Sequence, residues 1–129
     1  MHIEHLAIWV KDIEAMKAFY CNYFHATANE KYTNSIKQFQ SYFLSFDGGP
    51  RLELMQMPSV YSSNNDVYAQ FMGLIHFAVS LGSKEKVDAL TSQFHNDGFE
   101  VLDGPRTTGD GYYESVILDP EKNRIELTV

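Results

Sequence analysis

Two histidines and two glutamates sit at matching places along a chain of 129 residues, and their types are those that hold and use a divalent ion. From His5 to His76 is a step of 71, from Asp12 to Ser83 another 71, and from Glu53 to Glu126 a step of 73. Imidazole nitrogens together with carboxylate oxygens suit a borderline cation such as Zn, Ni, Co, Mn or Fe. Such a mixed set leaves coordination positions for water or a chelating substrate, which chemistry at the ion requires. Each residue alone has an ordinary reading. A glutamate within Leu52-Glu53-Leu54 or Ile125-Glu126-Leu127 is what any half-exposed strand shows, and a lone strand histidine is commonly just hydrogen-bonded. The paired spacing favours the ion.

The elements that must position these residues repeat in one order. Residues 3–10 are rich in β-formers, and Asp12 opens a stretch with apolar side chains at Ile13, Met16, Phe19/Tyr20 and Tyr23/Phe24, which reads as strand, cap and amphipathic helix. Residues 74–81 form a second such strand, followed by Ser83 as cap and a helix with Val87, Leu90 and Phe94 on one stripe. Extended segments follow each helix: 26–33, 39–47 and 51–57 in the first half, 99–103, 112–119 and 123–129 in the second. Asp47-Gly-Gly-Pro50 and Asp119-Pro-Glu-Lys-Asn123 are turn sequences joining neighbouring strands. The expectation is an α+β fold of two tandem βαβββ modules, about 1–57 and 73–129, within a single domain 1–129. The polar connector 58–72 reads as a short helix or a functional loop.

Strand alternation then splits each strand into two faces. Leu6, Ile8 and Val10 leave His5, Ala7 and Trp9 on the face away from the helix, and Ile75, Phe77, Val79 and Leu81 leave His76, Ala78 and Ser80. Leu52 and Leu54 leave Arg51, Glu53, Met55 and Met57; Ile125, Leu127 and Val129 leave Arg124, Glu126 and Thr128. Two such halves would curve their sheet around a cleft lined by these faces, and a cation offsets the cost of enclosing two carboxylates there. His2, His25 and His95 lack the paired register and read as surface or helix-end residues, and Cys21 as a small core filler.

Composition limits the partners. With 10 Lys plus Arg against 17 Asp plus Glu, the net charge of −7 repels nucleic acid and anionic membrane surfaces. A single cysteine forms no disulfide within the chain and no Cys-x-x-Cys pair, no run approaches the roughly 18 apolar residues of a membrane span, and no basic leader opens the sequence, so a cytoplasmic location is expected.

His5-Leu-Ala-Ile-Trp-Val with Asp12 and Phe19-Tyr20, Leu52-Glu53-Leu54, Gly73-Leu-Ile-His76-Phe-Ala-Val, and Leu118-Asp119-Pro120 running to Asn123-Arg-Ile-Glu126-Leu together resemble the glyoxalase/bleomycin resistance/dioxygenase (vicinal oxygen chelate) superfamily over the whole chain. The resemblance implies that His5, Glu53, His76 and Glu126 hold one divalent metal ion, that Glu126 and its counterpart Glu53 move a proton, and that the chain forms a homodimer. The complete ligand set is most similar to glyoxalase I, a metal-dependent lyase (lactoylglutathione lyase type). The alternatives are a non-catalytic small-molecule or antibiotic-binding protein, and a ring-cleaving dioxygenase, whose pattern of two histidines and one carboxylate does not require Glu53. Where glyoxalase I carries an arginine and an asparagine for glutathione, this chain has Trp9 and Met57. Trp9, Met55 and Met57 therefore read as an apolar substrate wall, with Arg51, Arg106 or Arg124 left to meet a carboxylate, and the loop 104–111 as a mobile lid or a plain connector.

Overall fold

Asp12 stands in extended backbone and its side chain accepts the Ala15 N–H at 3.0 Å, which starts α1 (Ile13–Phe24) where the sequence places it. Ser83 does the same for α2 (Lys84–Asn96), accepting from Lys86 at 3.3 Å. His25 ends α1 in the left-handed conformation, and His95 lies in the last turn of α2, both helix-end positions.

The computed structural model describes residues 1–129 and divides them into two units, Met1–Ser63 and Asn64–Val129. In the first, β1 (His5–Trp9) is followed by α1, β2 (Thr27–Ala28), β3 (Tyr32–Asn34), β4 (Phe39–Ser45) and β5 (Arg51–Gln56). The sheet order is β1-β5-β4-β2 with β3 also on β4, and β1 runs parallel to β5. α1 packs on β4 and β5, enclosing Met16, Tyr20, Leu44 and Leu54. The expected strand 26–33 is broken: the Asn29 side chain accepts the Phe43 N–H at 2.8 Å while its own N–H donates to the Phe43 carbonyl, and this local bonding separates β2 from β3.

The second unit holds β6 (Phe77–Ser80), α2, β7 (Val101–Thr107), β8 (Tyr113–Leu118) and β9 (Arg124–Thr128), in sheet order β6-β9-β8-β7 with β6 parallel to β9. Each module thus closes its own mixed sheet, and both follow the βαβββ order once β2 and β3 are counted as the two pieces of one broken strand. Buried Asp119 accepts the backbone N–H groups of Glu121 and Asn123 and the Asn123 side chain, closing the β8–β9 hairpin.

Three expectations change. β6 is shorter than 74–81, so His76 precedes the strand rather than lying in it. Residues 104–107 of the supposed lid belong to β7, which reaches β8 through register shifts on either side of Asp103. α2 buries Thr91 with Val87 and Phe94 in place of Leu90, because the Thr91 hydroxyl finds the buried Ser115 hydroxyl at 2.6 Å. Of the two alternatives for the connector, the structure shows the loop: it contains turns and no helix, as its serines and asparagines favour. No helix is long and apolar enough to cross a membrane.

Candidate functional site

In the first unit, the β1–β5 register sets Ala7 opposite Glu53 and Trp9 opposite Met55, so His5 and Glu53 rise from adjacent strands on the face away from α1. His5 Nε2 stands 3.7 Å from Glu53 Oε2. The other ring nitrogen, Nδ1, is 2.5 Å from Glu4 Oε2, and Glu4 in turn accepts from Arg51, whose guanidinium lies 4.2 Å over the Phe43 ring. The hydrogen bond to His5 is the main cause holding the Glu4 carboxyl below the usual range, with Arg51 adding to it. Phe43 also meets the His5 ring edge-on at 5.4 Å.

The second unit builds the same pair. Ala78 pairs with Glu126, and His76 Nε2 stands 3.3 Å from Glu126 Oε2. The glutamates are the enclosed members, at 14% and 16% side-chain exposure, against 39% and 38% for their histidines. Beside Glu126 lies a carboxylate that the sequence reading missed. Val116 pairs with Glu126, which puts Glu114 on the same face of β8, and Arg106 on β7 pairs with Glu114. Burial and the Glu126 charge push the Glu114 carboxyl up, while Arg106, with Nη2 at 3.4 Å, pulls it down. Arg106 also donates from Nε to Asp103 at 2.7 Å. An acidic residue alternating with Val116 on the strand was the available signal.

An ion about 2.1 Å from an imidazole nitrogen and a carboxylate oxygen separates them by about 3.0 Å at right angles and about 3.4 Å at the tetrahedral angle. The 3.3 Å pair lies in that range, as a two-donor half of a metal site requires, and the 3.7 Å pair is wider than it. The four side chains are brought together as two pairs, and no three His, Cys, Asp or Glu residues form a group that could hold a metal. Trp9 keeps 43% of its surface exposed, and Met55 lies beside it on β5 with Met57 just past the strand end. Arg124, expected to meet substrate, is committed to the chain itself: Nε and Nη2 donate to the Val67 carbonyl at 3.0 and 2.5 Å, and Nη2 to Ala69 at 2.9 Å. These bonds strap the connector to β9, two residues from Glu126.

A model of the Glyoxalase/Bleomycin resistance protein/Dioxygenase superfamily matches residues 2–127. Among solved structures, the trypanothione-dependent glyoxalase I of Leishmania major is similar with a TM-score of 0.77 at 20% identity, over 99% of this chain and 86% of that one. A glyoxalase family protein from Enterococcus faecalis gives 0.78 at 22% identity, over 99% and 97%. The fosfomycin resistance protein FosX of Listeria monocytogenes gives 0.73 at 20% identity, over 98% and 91%. At these identities the structures share the fold. No curated protein matches the sequence.

Proposed function

Because the chain belongs to the glyoxalase/bleomycin resistance protein/dioxygenase superfamily, we propose that it is a metal-dependent lyase or isomerase of the glyoxalase I type, acting on a small molecule with neighbouring carbonyl and hydroxyl oxygens. The observation that carries this reading is the repeated imidazole–carboxylate pair, 3.7 Å apart in one unit and 3.3 Å in the other. In this reading His5, Glu53, His76 and Glu126 share one divalent ion, and the chain forms a homodimer.

When bound, the ion supplies charge that stabilises an enediolate-like distribution on the substrate oxygens, making the adjacent C–H acidic enough to ionise. Glu126 is the base that takes that proton, and Glu53 is its counterpart in the other module. Each is enclosed by its own strand pair, so little water competes for the carboxylate oxygen. The contact between Glu4 and Nδ1 orients the His5 ring, with Nε2 on the side of Glu53. Glu53 remains the residue that favours this chemistry over ring cleavage, whose ligand pattern does not need it.

Elemental analysis of the purified protein, then turnover of the methylglyoxal–glutathione hemithioacetal with and without chelator, tests the reading. Bound divalent metal that falls in Glu53→Gln and His76→Ala, with turnover abolished by chelation, is expected. Wild-type protein without metal, or metal content unchanged in both variants, refutes it. Metal with no turnover of the glutathione adduct retains the ion and rejects glutathione as the thiol.

A further inference from the structure

The run that leads into His76 pairs with no strand, yet it delivers an imidazole to within 3.3 Å of Glu126. Little surrounds its last residues. Gly73 sits at a φ of +117° with open space where a Cβ would be, and Met72 and Leu74 are exposed. The anchors lie just upstream. Val67 and Ala69 give their carbonyls to Arg124, with Nε at 3.0 Å from the first and Nη2 at 2.9 Å from the second, while the Tyr68 hydroxyl between them donates to Glu100 at 3.1 Å. Lys122 holds the same Glu100 oxygen at 3.1 Å. All of these residues belong to the second unit.

Arg124 differs from the other two arginines of the chain. Arg51 meets the Glu4 carboxylate and Arg106 those of Asp103 and Glu114, whereas the Arg124 guanidinium bonds backbone carbonyls. A planar fork that takes two carbonyls of one turn fixes backbone. Its place on β9 says which backbone matters. Arg124 and Glu126 alternate onto one face of the strand, and carrying the Phe77–Ile125 pairing back one step sets Arg124 across from His76.

We propose that Arg124 is a positioning residue for the second imidazole: by strapping Val67 and Ala69 to β9 it fixes the unpaired run that brings His76 to Glu126, with Tyr68 and Glu100 as the second anchor. The proposal deepens the glyoxalase-type reading of His76 and Glu126 and rests on it for the ion. With the strap open, residues 70–76 lose their upstream anchor and the imidazole leaves its carboxylate. The link is reciprocal. A closed strap favours a cation shared by His76 and Glu126, so that cation favours the closed strap by the same factor. Sign separates this role from simple charge, because deleting a cation two residues from Glu126 would by itself strengthen metal binding, whereas opening the strap weakens it.

Metal-free protein reads the strap without the ion. Amide exchange over residues 67–76 and the His76 imidazole NMR resonance, assigned by its loss in His76→Ala, are compared at one pH in wild type, Arg124→Ala, Arg124→Lys and Tyr68→Phe. Arg124→Ala is expected to speed exchange over 67–76 about tenfold, to shift or broaden the His76 resonance, and to leave exchange in β8 as it was. Arg124→Lys, a point donor in place of a fork, falls between wild type and Arg124→Ala, and Tyr68→Phe gives a smaller change in the same direction. Zn(II) competition against a chromogenic chelator reads the link. Affinity is expected to fall about tenfold in Arg124→Ala and no further when that change is added to His76→Ala, and Zn(II) slows exchange over 67–76 in the wild type.

Unchanged exchange over 67–76 in Arg124→Ala overturns the strap. Faster exchange with the His76 resonance unmoved, or a gain in Zn(II) affinity, shows that the imidazole is placed independently and overturns the positioning role. Exchange and the His76 resonance that respond together in a protein that binds no Zn(II), wild type included, support the positioning role and remove the metal reading.

Discussion

Glu4 is the perturbation that tests how the first pair is held, because it touches the imidazole without being one of the four proposed donors. Its carboxylate is 2.5 Å from His5 Nδ1, a charge-assisted contact, and its carboxyl is held below the ordinary range chiefly by that bond. Removing an outer carboxylate from a metal-binding imidazole typically costs 10–100-fold in metal affinity. Glu4 is more than half exposed and shared with Arg51, so solvent screening places the loss at the low end, about tenfold for Glu4→Ala. Glu4→Gln keeps an acceptor oxygen for Nδ1 and loses only the charge, so it is expected to lose about threefold. Competition against a chromogenic chelator with Zn(II) near neutral pH reads both. The decisive comparison is Glu4→Ala in a His5→Ala background, where no further loss is expected because the imidazole it orients is gone. An equal loss with and without His5 means that Glu4 acts by general charge, and no loss in either means that it does not position His5 at all.

Other consequences are independent of the ion. Thr91→Val leaves the buried Ser115 hydroxyl without its 2.6 Å partner and is expected to cost about 1–3 kcal/mol in urea unfolding, part of which Thr91→Val/Ser115→Ala recovers; a double variant worse than the sum of the two single variants contradicts this. Gly104→Ala sets a Cβ 2.6 Å from the Glu114 carbonyl oxygen at a φ of +80°, so a loss of about 2–4 kcal/mol is expected, and a neutral variant rejects the close approach of β7 to β8. Lys17 and Lys31 hold the Glu14 carboxyl down from 4.5 to about 2, so ionised Glu14 stabilises the fold fully above about 4.5 and progressively less as pH falls toward about 2. Melting temperatures of wild type and Glu14→Gln should therefore differ by a constant amount at neutral pH and converge on acidification, with a smaller difference at high salt; divergence at low pH refutes the assignment.

The parts of this fold that the sequence announced are those fixed by local chemistry. Asp12 and Ser83 cap the helices where their side chains predict, and Asp119 with Asn123 closes the last hairpin. Alternation in β5 and β9 put Leu52, Leu54, Ile125 and Leu127 in the core and so turned Glu53 and Glu126 the other way. What stayed hidden depends on partners distant in sequence. Nothing adjacent to Asn29 says that its side chain meets the Phe43 backbone, nothing near Thr91 names Ser115, and nothing beside Arg124 shows that its donors go to Val67 and Ala69. The arginines looked free because a sequence gives charges without their counter-charges, and in the structure all three candidates are engaged.

Register resolves how far the two modules are alike. Glu53 and Glu126 each face a histidine-bearing strand through an alanine, Ala7 and Ala78, so the donor geometry is repeated. The neighbouring β4 and β8 strands differ: Phe43 pairs with Glu53 where Val116 pairs with Glu126, and Ser41 stands opposite Met55 where Glu114 stands opposite Thr128. A bulky ring thus stands beside the first pair, while a third carboxylate and Arg106 attend the second. Because the donors are equivalent and their surroundings are not, the two glutamates meet different local fields, and the difference lies in residues that a ligand-motif match never inspects. The two imidazole–carboxylate pairs are therefore alike in register and unlike in surroundings, with an aromatic ring beside Glu53 and a third carboxylate beside Glu126.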